Sequence, residues 1–229
     1  MPPSANDGAG TDAPEPGGAL EAAVRALAEA GDLDAAATRA LEHYGPELYG
    51  YLRAIARDDD LASDAFALGS EQLWRYLGRF RWESSLRTWA YQLFRRTLYQ
   101  LRADPRRRPD RNLPLSIASS IEDVHRSVTA PYQRTEVKES LRALRESLDP
   151  LDHEILVLRL DRAMSWKDIA RALAEPDDTE AGASASSSST SSSSSSSIDQ
   201  RAAAYRKRFE RAKAQLRELA IKHGLLPED

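Results

Sequence analysis

Apolar residues recur at every third or fourth position through most of this chain, and that spacing restricts it to helices. The strongest case lies between residues 86 and 101, where six inward positions fall within one arc of about 100° on a helical wheel: Leu86, Ala90, Leu93, Phe94, Thr97 and Leu101. Similar stripes occupy 48–55, 151–158 and 202–219. No segment alternates apolar and polar residues as a half-buried strand does. The sequence therefore predicts an all-α fold.

Local signals predict several helix ends. Side chains that accept hydrogen bonds from the first helical amides precede the stripes: Asp58 to Asp60, Ser84 or Ser85, Asp149 before Pro150, Ser165, and Asp199. Gly31 and Gly224 are suited to end the first and last helices. Proline lacks an amide hydrogen, so Gly45–Pro46 is predicted to kink or break the second helix.

Shifts in composition divide the chain into two small helical domains joined by a flexible linker, the second of them a helix-turn-helix. We expect a disordered acidic tail at 1–18, a helical domain at 19–104 and a proline-containing linker at 105–134. The helix-turn-helix domain then covers 135–222, interrupted by a disordered serine-rich insertion at 175–198, and 223–229 form a tail.

Composition excludes several classes of function. The chain has 229 residues and no cysteine, which rules out disulfides and thiolate zinc sites and suits a cytoplasmic protein. Its four histidines lie far apart, and it has no phosphate-binding glycine loop and no nucleophile with a supporting base. No apolar run approaches the roughly 20 residues of a membrane span. We therefore expect no enzyme, no cofactor, no metal and no membrane insertion.

The overall charge of −4 conceals strong segregation. Residues 75–111 contain eleven arginines and three acidic residues, a net charge of +8. Residues 198–222 contain eight basic and three acidic residues, a net charge of +5, whereas residues 1–34 carry −6. A single arginine-rich helix is commonly only a solvated face, but two basic amphipathic segments in an acidic protein favour a nucleic-acid partner.

The helix at 86–102 carries a basic face beside its apolar one. Arg87, Tyr91, Arg95 and Arg102 fall within a neighbouring arc of about 80°. Aromatic rings among arginines suit unstacked bases and phosphates. Trp89 could belong to this surface or to the core. Tyr205 and Phe209 lie on the apolar stripe of the last helix and are expected in the core, as is Trp166 at a helix start.

The order of these segments resembles an extracytoplasmic-function sigma factor, a two-domain bacterial transcription initiation factor of the sigma-70 family. LASDAFALGSEQLW resembles that family's polymerase-binding helix, and FRWESSLRTWAYQLFRR resembles its promoter −10 segment, including Phe80 and Thr88. The C-terminal −35-binding domain is matched by LDPLDHEILVLRL, SWKDIARAL and AAAYRKRFERAKAQLREL.

The resemblance implies core RNA polymerase, promoter DNA and an anti-sigma protein as partners. It implies that the polymerase contacts are Asp64, Phe66, Leu73 and Trp74. The implied −10 contacts are Arg87, Trp89, Tyr91, Arg95, Arg96 and Arg102. The implied −35 contacts are Lys167, Arg201, Arg206, Arg208, Arg211 and Lys213.

The sequence departs from the family pattern at three places. Ala67 and Leu68 stand where the family usually has Gln and Glu, and Arg96 stands where it commonly has Asn. The serine-rich insertion replaces the short turn between the two helices of the helix-turn-helix.

Two other functions remain open from the sequence. One is a helix-turn-helix regulator that binds DNA without polymerase, which Ala67 and Leu68 favour and the basic helix 86–102 disfavours. The other is a protein-interaction bundle, such as a sigma mimic, which would keep the polymerase-facing helix and bind neither promoter element.

Overall fold

The computed structural model describes residues 16–104, 106, 143–145, 147–174, 191–223 and 225–227. All regular structure within those residues is helical, as the sequence predicts. The helices are α1 (Pro16–Glu29), α2 (Leu33–Ala56), α3 (Asp59–Leu77), α4 (Leu86–Ala103), α5 (Pro150–Leu156), α6 (Trp166–Ala172) and α7 (Ser191–Lys222). A π-helical turn, Val157–Asp161, continues α5. None of the helices in this part of the chain is both long and apolar enough to cross a membrane.

The predicted caps at the starts of α3 to α6 are confirmed. Asp58 accepts a hydrogen bond from the Leu61 amide, and Ser85 accepts one from the Thr88 amide. Asp149 and Ser165 cap α5 and α6 in the same way. Each side chain satisfies an amide that the helix itself leaves without a partner. Gly31 follows α1 with a φ of +82°, a conformation that glycine adopts without strain.

Of the kink or break predicted at Gly45–Pro46, the break is wrong, because α2 continues through these residues. Proline removes one backbone hydrogen bond, but residues on both sides of it are anchored in the core. Tyr44, Leu48 and Tyr49 are all buried. Most helical stability in proteins comes from such packing and not from local propensity, so the burial of these side chains outweighs the lost bond.

The last helix begins earlier than predicted. Helix α7 starts at Ser191 and not at Asp199, so 191–198 are helical where the sequence predicted part of a disordered insertion. Serine is only a mildly unfavourable helix former, and extending an existing helix avoids the cost of nucleating a new one. Likewise α1 includes 16–18, which were assigned to the tail.

The rest of the predicted tail and insertion, 1–15 and 175–190, lies outside the described residues, as does Gly224. Of the predicted linker 105–134, only Arg106 is described.

The helices form two groups that pack against each other. Helix α2 contacts α1, α3 and α4, which together make the first unit. Helices α5, α6 and α7 make the second unit, in which α6 packs on α7 as a helix-turn-helix requires. Buried side chains of both units belong to one apolar cluster, and α6 lies directly against α4. The first unit therefore presents part of its α2 and α4 surface to the second.

Candidate nucleic-acid interface

The N-terminal part of the basic face of α4 is engaged by carboxylate and carbonyl oxygens. Arg87 forms a bidentate ion pair with Glu47 of α2, with N–O distances of 2.8 and 3.0 Å. The same guanidinium donates to the carbonyl oxygen of Arg162, 2.8 Å away, just after the π-helical turn of the second unit. Burial lowers the pKa of Arg87, but its bonds to Glu47 outweigh that effect and raise it overall. Arg87 therefore joins the two units.

About two turns further along α4, at Arg95, a carboxylate from the second unit enters the first. Glu154 of α5 is only 1% exposed. Its Oε1 accepts hydrogen bonds from Tyr51 Oη at 2.5 Å and from Arg95 Nε at 2.9 Å. Its Oε2 accepts one from Tyr99 Oη at 3.2 Å. We call these four residues the Glu154 cluster.

The electrostatics of the cluster follow from its burial. Burial and the neighbouring Glu154 carboxylate raise the pKa of Tyr51 well above its ordinary value, so the phenol stays protonated and can donate. Burial lowers the pKa of Arg95, and attraction to Glu154 raises it by more, so the guanidinium stays charged. The Cζ atom of Arg95 also lies over the Tyr99 ring, 4.6 Å from the ring centre. The Glu154 carboxylate thus accepts hydrogen bonds from three donors, and a buried charge requires such partners.

The remaining predicted −10 residues of α4 have different environments. Tyr91 is fully buried, which corrects its prediction as a surface residue in this conformation. It lies on the side of α4 that α2 covers, and its ring packs against Tyr51 with centres 5.0 Å apart. Arg102 donates to the carbonyl oxygens of Ile55 and Ala56 at the end of α2. Arg96 lies on the exposed side of α4.

An aromatic cluster lies in the loop between α3 and α4. The Phe80 ring is stacked on Trp89 with centres 4.7 Å apart, and it contacts Trp82 at 4.9 Å. Arg25 of α1 lies over the Trp82 ring at 5.6 Å. All three rings are partly exposed. Trp89 therefore lies in a half-buried stack of rings, which is intermediate between the exposed surface and the core.

Trp82 adopts a left-handed backbone conformation, with a φ of +58°. This conformation is unfavourable for a bulky residue, so the ring contacts hold the loop in a strained shape. Phe80 and Trp82 are not among the contacts predicted from the sequence, although both lie in the segment that resembles the −10 segment. The signal that could have found them is two aromatic residues flanking an arginine in a short segment between Gly78 and Ser84.

Only part of the predicted polymerase-binding set on α3 lies at the surface. Trp74 is 49% exposed, and its indole nitrogen donates to Asp34 of α2. Asp64, Phe66 and Leu73 are buried, which corrects their prediction as contact residues in this conformation. Phe66 packs against Tyr49 of α2 and Phe94 of α4. Tyr76, which is not among the predicted contacts, is 40% exposed.

The basic residues of the second unit differ in how far they are exposed to solvent. Arg206 and Arg211 lie on the exposed side of α7, and Lys213 and Lys167 are exposed in ion pairs with Glu210 and Asp199. Arg201 is half-buried.

Arg208 differs from these, because it pairs with Asp152 at 2.6 Å and with the capping carboxylate of Asp149 at 2.8 Å. These bonds, first to Asp152, raise its pKa. Arg208 thus ties α7 to the start of α5, which corrects its prediction as a DNA contact in this conformation.

The described part of the chain holds no group of three or more histidine or acidic side chains placed to bind a metal ion. The chemistry that it offers is recognition by cationic forks and partly exposed rings. Such groups bind phosphates and stack on bases.

One protein-family model, sigma-70 region 2, matches residues 40–108. The match begins within α2 and takes in α3, the aromatic loop and α4, so it contains all the predicted polymerase and −10 contact residues of the first unit. It covers a little under a third of the chain. No curated protein and no solved structure gives a significant match. The likeness of this segment to sigma-70 region 2 supports a sigma-factor role in transcription initiation.

Proposed function

We propose that this chain is a sigma-type transcription initiation factor that binds core RNA polymerase and directs it to promoters. The observation that carries the proposal is the match of residues 40–108 to sigma-70 region 2. The protein works without covalent chemistry of its own, in the cytoplasm where polymerase acts, and its resemblance to the extracytoplasmic-function type adds an anti-sigma protein as a further partner.

Core polymerase binds the exposed side of α3 in this proposal. Trp74 and Tyr76 lie two positions apart, so they present large aromatic surfaces at opposite edges of that side, 49% and 40% exposed. Aromatic residues of this kind frequently dominate the energy of protein interfaces. Asp64, Phe66 and Leu73 support the helix from inside, so their substitution would act on binding through the fold.

The −10 element binds the aromatic loop and α4. Opened DNA exposes bases that stack on aromatic rings, each worth about 1–3 kcal/mol, and Phe80, Trp82 and Trp89 supply partly exposed rings. Arg96 supplies an exposed cation on the adjoining helix, whereas Arg87 and Arg95 are paired with Glu47 and Glu154 in this conformation. The loop and the helix together would hold one melted strand.

The −35 element binds the second unit. Helix α7 presents Arg206, Arg211 and Lys213 on its exposed side, and Lys167 begins α6 beside it. A recognition helix enters the major groove, where arginine forks meet guanine edges or phosphates. Arg208 positions α7 on α5 in this arrangement and does not itself reach DNA.

The test is co-migration of the purified chain with bacterial core RNA polymerase, followed by transcription from fragments of genomic DNA. We expect a stable complex and promoter-dependent transcripts. Trp74→Ala should weaken the complex by about tenfold or more, as loss of an aromatic anchor does. Leu160→Ala is the matched control, because Leu160 is 51% exposed in the second unit.

Other outcomes would replace the proposal. A complex without transcripts would indicate a sigma mimic. No complex, together with specific binding to duplex DNA, would indicate a regulator that acts without polymerase.

A further inference from the structure

Helix α1 contacts the aromatic loop, which carries Phe80 and Trp82 between α3 and α4. The guanidinium of Arg25 lies over the Trp82 ring, with its Cζ atom 5.6 Å from the ring centre. The same side chain pairs with Glu29, one turn further along α1, at an N–O distance of 2.8 Å. A cation over the face of an indole ring is attracted by the electrons of the ring. Helix α1 thus contributes to the loop, although it lies outside the residues that match sigma-70 region 2.

A second contact from the same region supports the start of the loop. Leu33 begins α2, four positions after the end of α1, and it packs against Gly78 at the end of α3. A Cβ atom added to Gly78 would lie 3.2 Å from both Cδ atoms of Leu33, so the two backbones approach closely there. The corner between α1 and α2 therefore fixes where the loop begins, and Arg25 contacts its middle.

The backbone of Trp82 requires contacts of this kind. Its φ of +58° is unfavourable for a bulky residue, and such a conformation persists only where the surrounding structure determines it. The Trp82 ring contacts Phe80 of the same loop, with centres 4.9 Å apart, and Arg25 ties the ring to a separate helix. Residues in strained conformations are concentrated at binding and catalytic sites. The orientation of the Trp82 ring is therefore set at a cost in backbone energy.

We propose that Arg25 of α1 is a positioning residue for Trp82, which holds the ring in the orientation that stacks on an opened base. The positioning role rests on the proposed function, because it requires the loop to bind single-stranded DNA. The contact between Arg25 and Trp82 does not, and the two are measured separately below. A cation over a ring at an exposed site is a weak contact, so α1 adjusts the affinity of the loop and does not create it.

The contact is measured on the full-length chain by fluorine NMR, with 5-fluorotryptophan in place of its four tryptophans. Trp82→Gly and Trp166→Phe identify two of the resonances. We expect Arg25→Gln to shift the Trp82 resonance and to leave that of Trp166, in the second unit, unchanged. Arg25→Lys, which keeps a cation within reach of the ring, should shift the Trp82 resonance by less. A Trp82 resonance that Arg25→Gln leaves in place would overturn the proposal.

Positioning is measured by fluorescence anisotropy on a single-stranded oligonucleotide of mixed sequence, with the full-length chain alone and bound to core polymerase. Arg25→Gln should weaken binding by about two- to fivefold, the change that loss of an exposed cation–π contact produces. Arg25→Lys should restore part of the affinity. Arg39→Gln on α2 is the matched control, because it makes the same charge change at an exposed position. Equal losses by Arg25→Gln and Arg39→Gln would overturn positioning, since the effect would then be charge alone.

Salt dependence separates positioning from direct contact with DNA. Loss of one phosphate contact to a single strand lowers the salt slope of binding by about 0.7. Arg25→Gln should leave the slope as it is in the parent, since Arg25 acts through the ring. A slope lowered by that amount would indicate that Arg25 binds a phosphate itself, and it would overturn positioning.

A double variant shows whether Arg25 acts through Trp82. Glycine adopts the left-handed conformation without strain, so Trp82→Gly removes the ring and permits the same loop shape. It should weaken binding by about tenfold, as loss of one stacked base does, and Arg25→Gln should then have no further effect. If Trp82→Gly fails to fold by circular dichroism, Trp82→Asn replaces it, because asparagine also tolerates this backbone region. A full additional loss in the double variant would overturn the proposal.

The outcomes for positioning and for the proposed function are distinct. Transcription by the parent with polymerase, together with weaker DNA binding by Trp82→Gly and unchanged binding by Arg25→Gln, would overturn positioning and leave the proposed function intact. A parent that initiates no transcription and binds the oligonucleotide neither alone nor with core polymerase would overturn both.

Discussion

At the scale of single residues, Gly69 shows how closely α3 and α4 approach. A Cβ atom added there would lie 2.7 and 2.8 Å from two atoms of the Phe94 ring. The ring is fully buried and packs against Phe66 with centres 5.5 Å apart, so it has little room to move away. The glycine is required by the space between the helices and not by its backbone conformation.

We expect Gly69→Ala to lower the free energy of unfolding by about 1–3 kcal/mol, the usual effect of overpacking. The helix-propensity gain of roughly 0.5–1 kcal/mol from alanine offsets part of it. Urea unfolding followed by circular dichroism measures the change. Gly18→Ala in α1 is the control, because nothing lies within 4 Å of its added Cβ, and it should be neutral or stabilising. If the ring contact is the cause, Phe94→Leu should cost less in the Gly69→Ala background than in the parent.

Buried tyrosines make the stability of the chain depend on alkaline pH. Burial raises the pKa of Tyr44 from 10.0 to about 12, and burial also raises the pKa of Tyr51 well above its ordinary value. Between about pH 10 and pH 12 the unfolded chain releases the Tyr44 proton, which the folded chain keeps. Stability is therefore complete below about pH 10 and falls as the pH rises toward about 12, by up to about 1.4 kcal/mol per pH unit for each such group.

The Tyr44 contribution is isolated by Tyr44→Phe. Urea unfolding of this variant and the parent should agree near pH 7, and the variant should lose less stability between pH 10 and pH 12. If the variant and the parent lose the same stability between pH 10 and pH 12, Tyr44 is not the cause of the pH dependence.

At the scale of elements, α7 has exposed arginines and one arginine that pairs with α5, and its sequence does not distinguish the two kinds. Arg206 and Arg211 are exposed, whereas Arg208 pairs with Asp149 and Asp152 at the start of α5. All three occur within six positions of one basic helix. Only the contacts show that the first two are available to DNA and the third holds the helix in place.

We expect Arg206→Ala and Arg211→Ala to weaken duplex DNA binding and to reduce its salt dependence by about one counterion each, with little change in stability. Arg208→Ala should instead lower the free energy of unfolding by about 1 kcal/mol, because it removes partly exposed ion pairs that join α7 to α5. Anisotropy titrations at several salt concentrations and urea unfolding separate these effects. A salt slope for Arg208→Ala that falls as it does for Arg206→Ala, at unchanged stability, would contradict the division.

At the scale of the whole molecule, local signals predicted the elements but not the way they meet. The caps at Asp58, Ser85 and Ser165 depend on bonds to residues three positions away, so the sequence contains them. Glu154 is different, since it bonds to Tyr51, 103 positions away, and to Arg95, 59 positions away. A helical wheel shows that α4 has a basic face beside its apolar one, but it does not show which segment covers that face. For this reason the sequence placed Arg87 and Arg95 at a DNA surface, whereas the structure pairs them within the chain.

The continuity of the apolar cluster across both units predicts that they unfold together. Leu52 of α2 and Ile155 of α5 are both fully buried in it, so opening either unit exposes apolar surface on the other, which is unfavourable. Native-state hydrogen exchange should give amides in the middle of α2 and of α5 nearly the same free energy of opening.

Glu154→Gln tests this coupling, because it weakens the contact between the units without changing the core of either one. In that variant the amides of α5 and α6 should exchange at a lower free energy than those of α2, while Glu210→Gln should behave like the parent. If α5 and α6 already exchange at a much lower free energy than α2 in the parent, the two units are energetically independent and the shared cluster does not couple them.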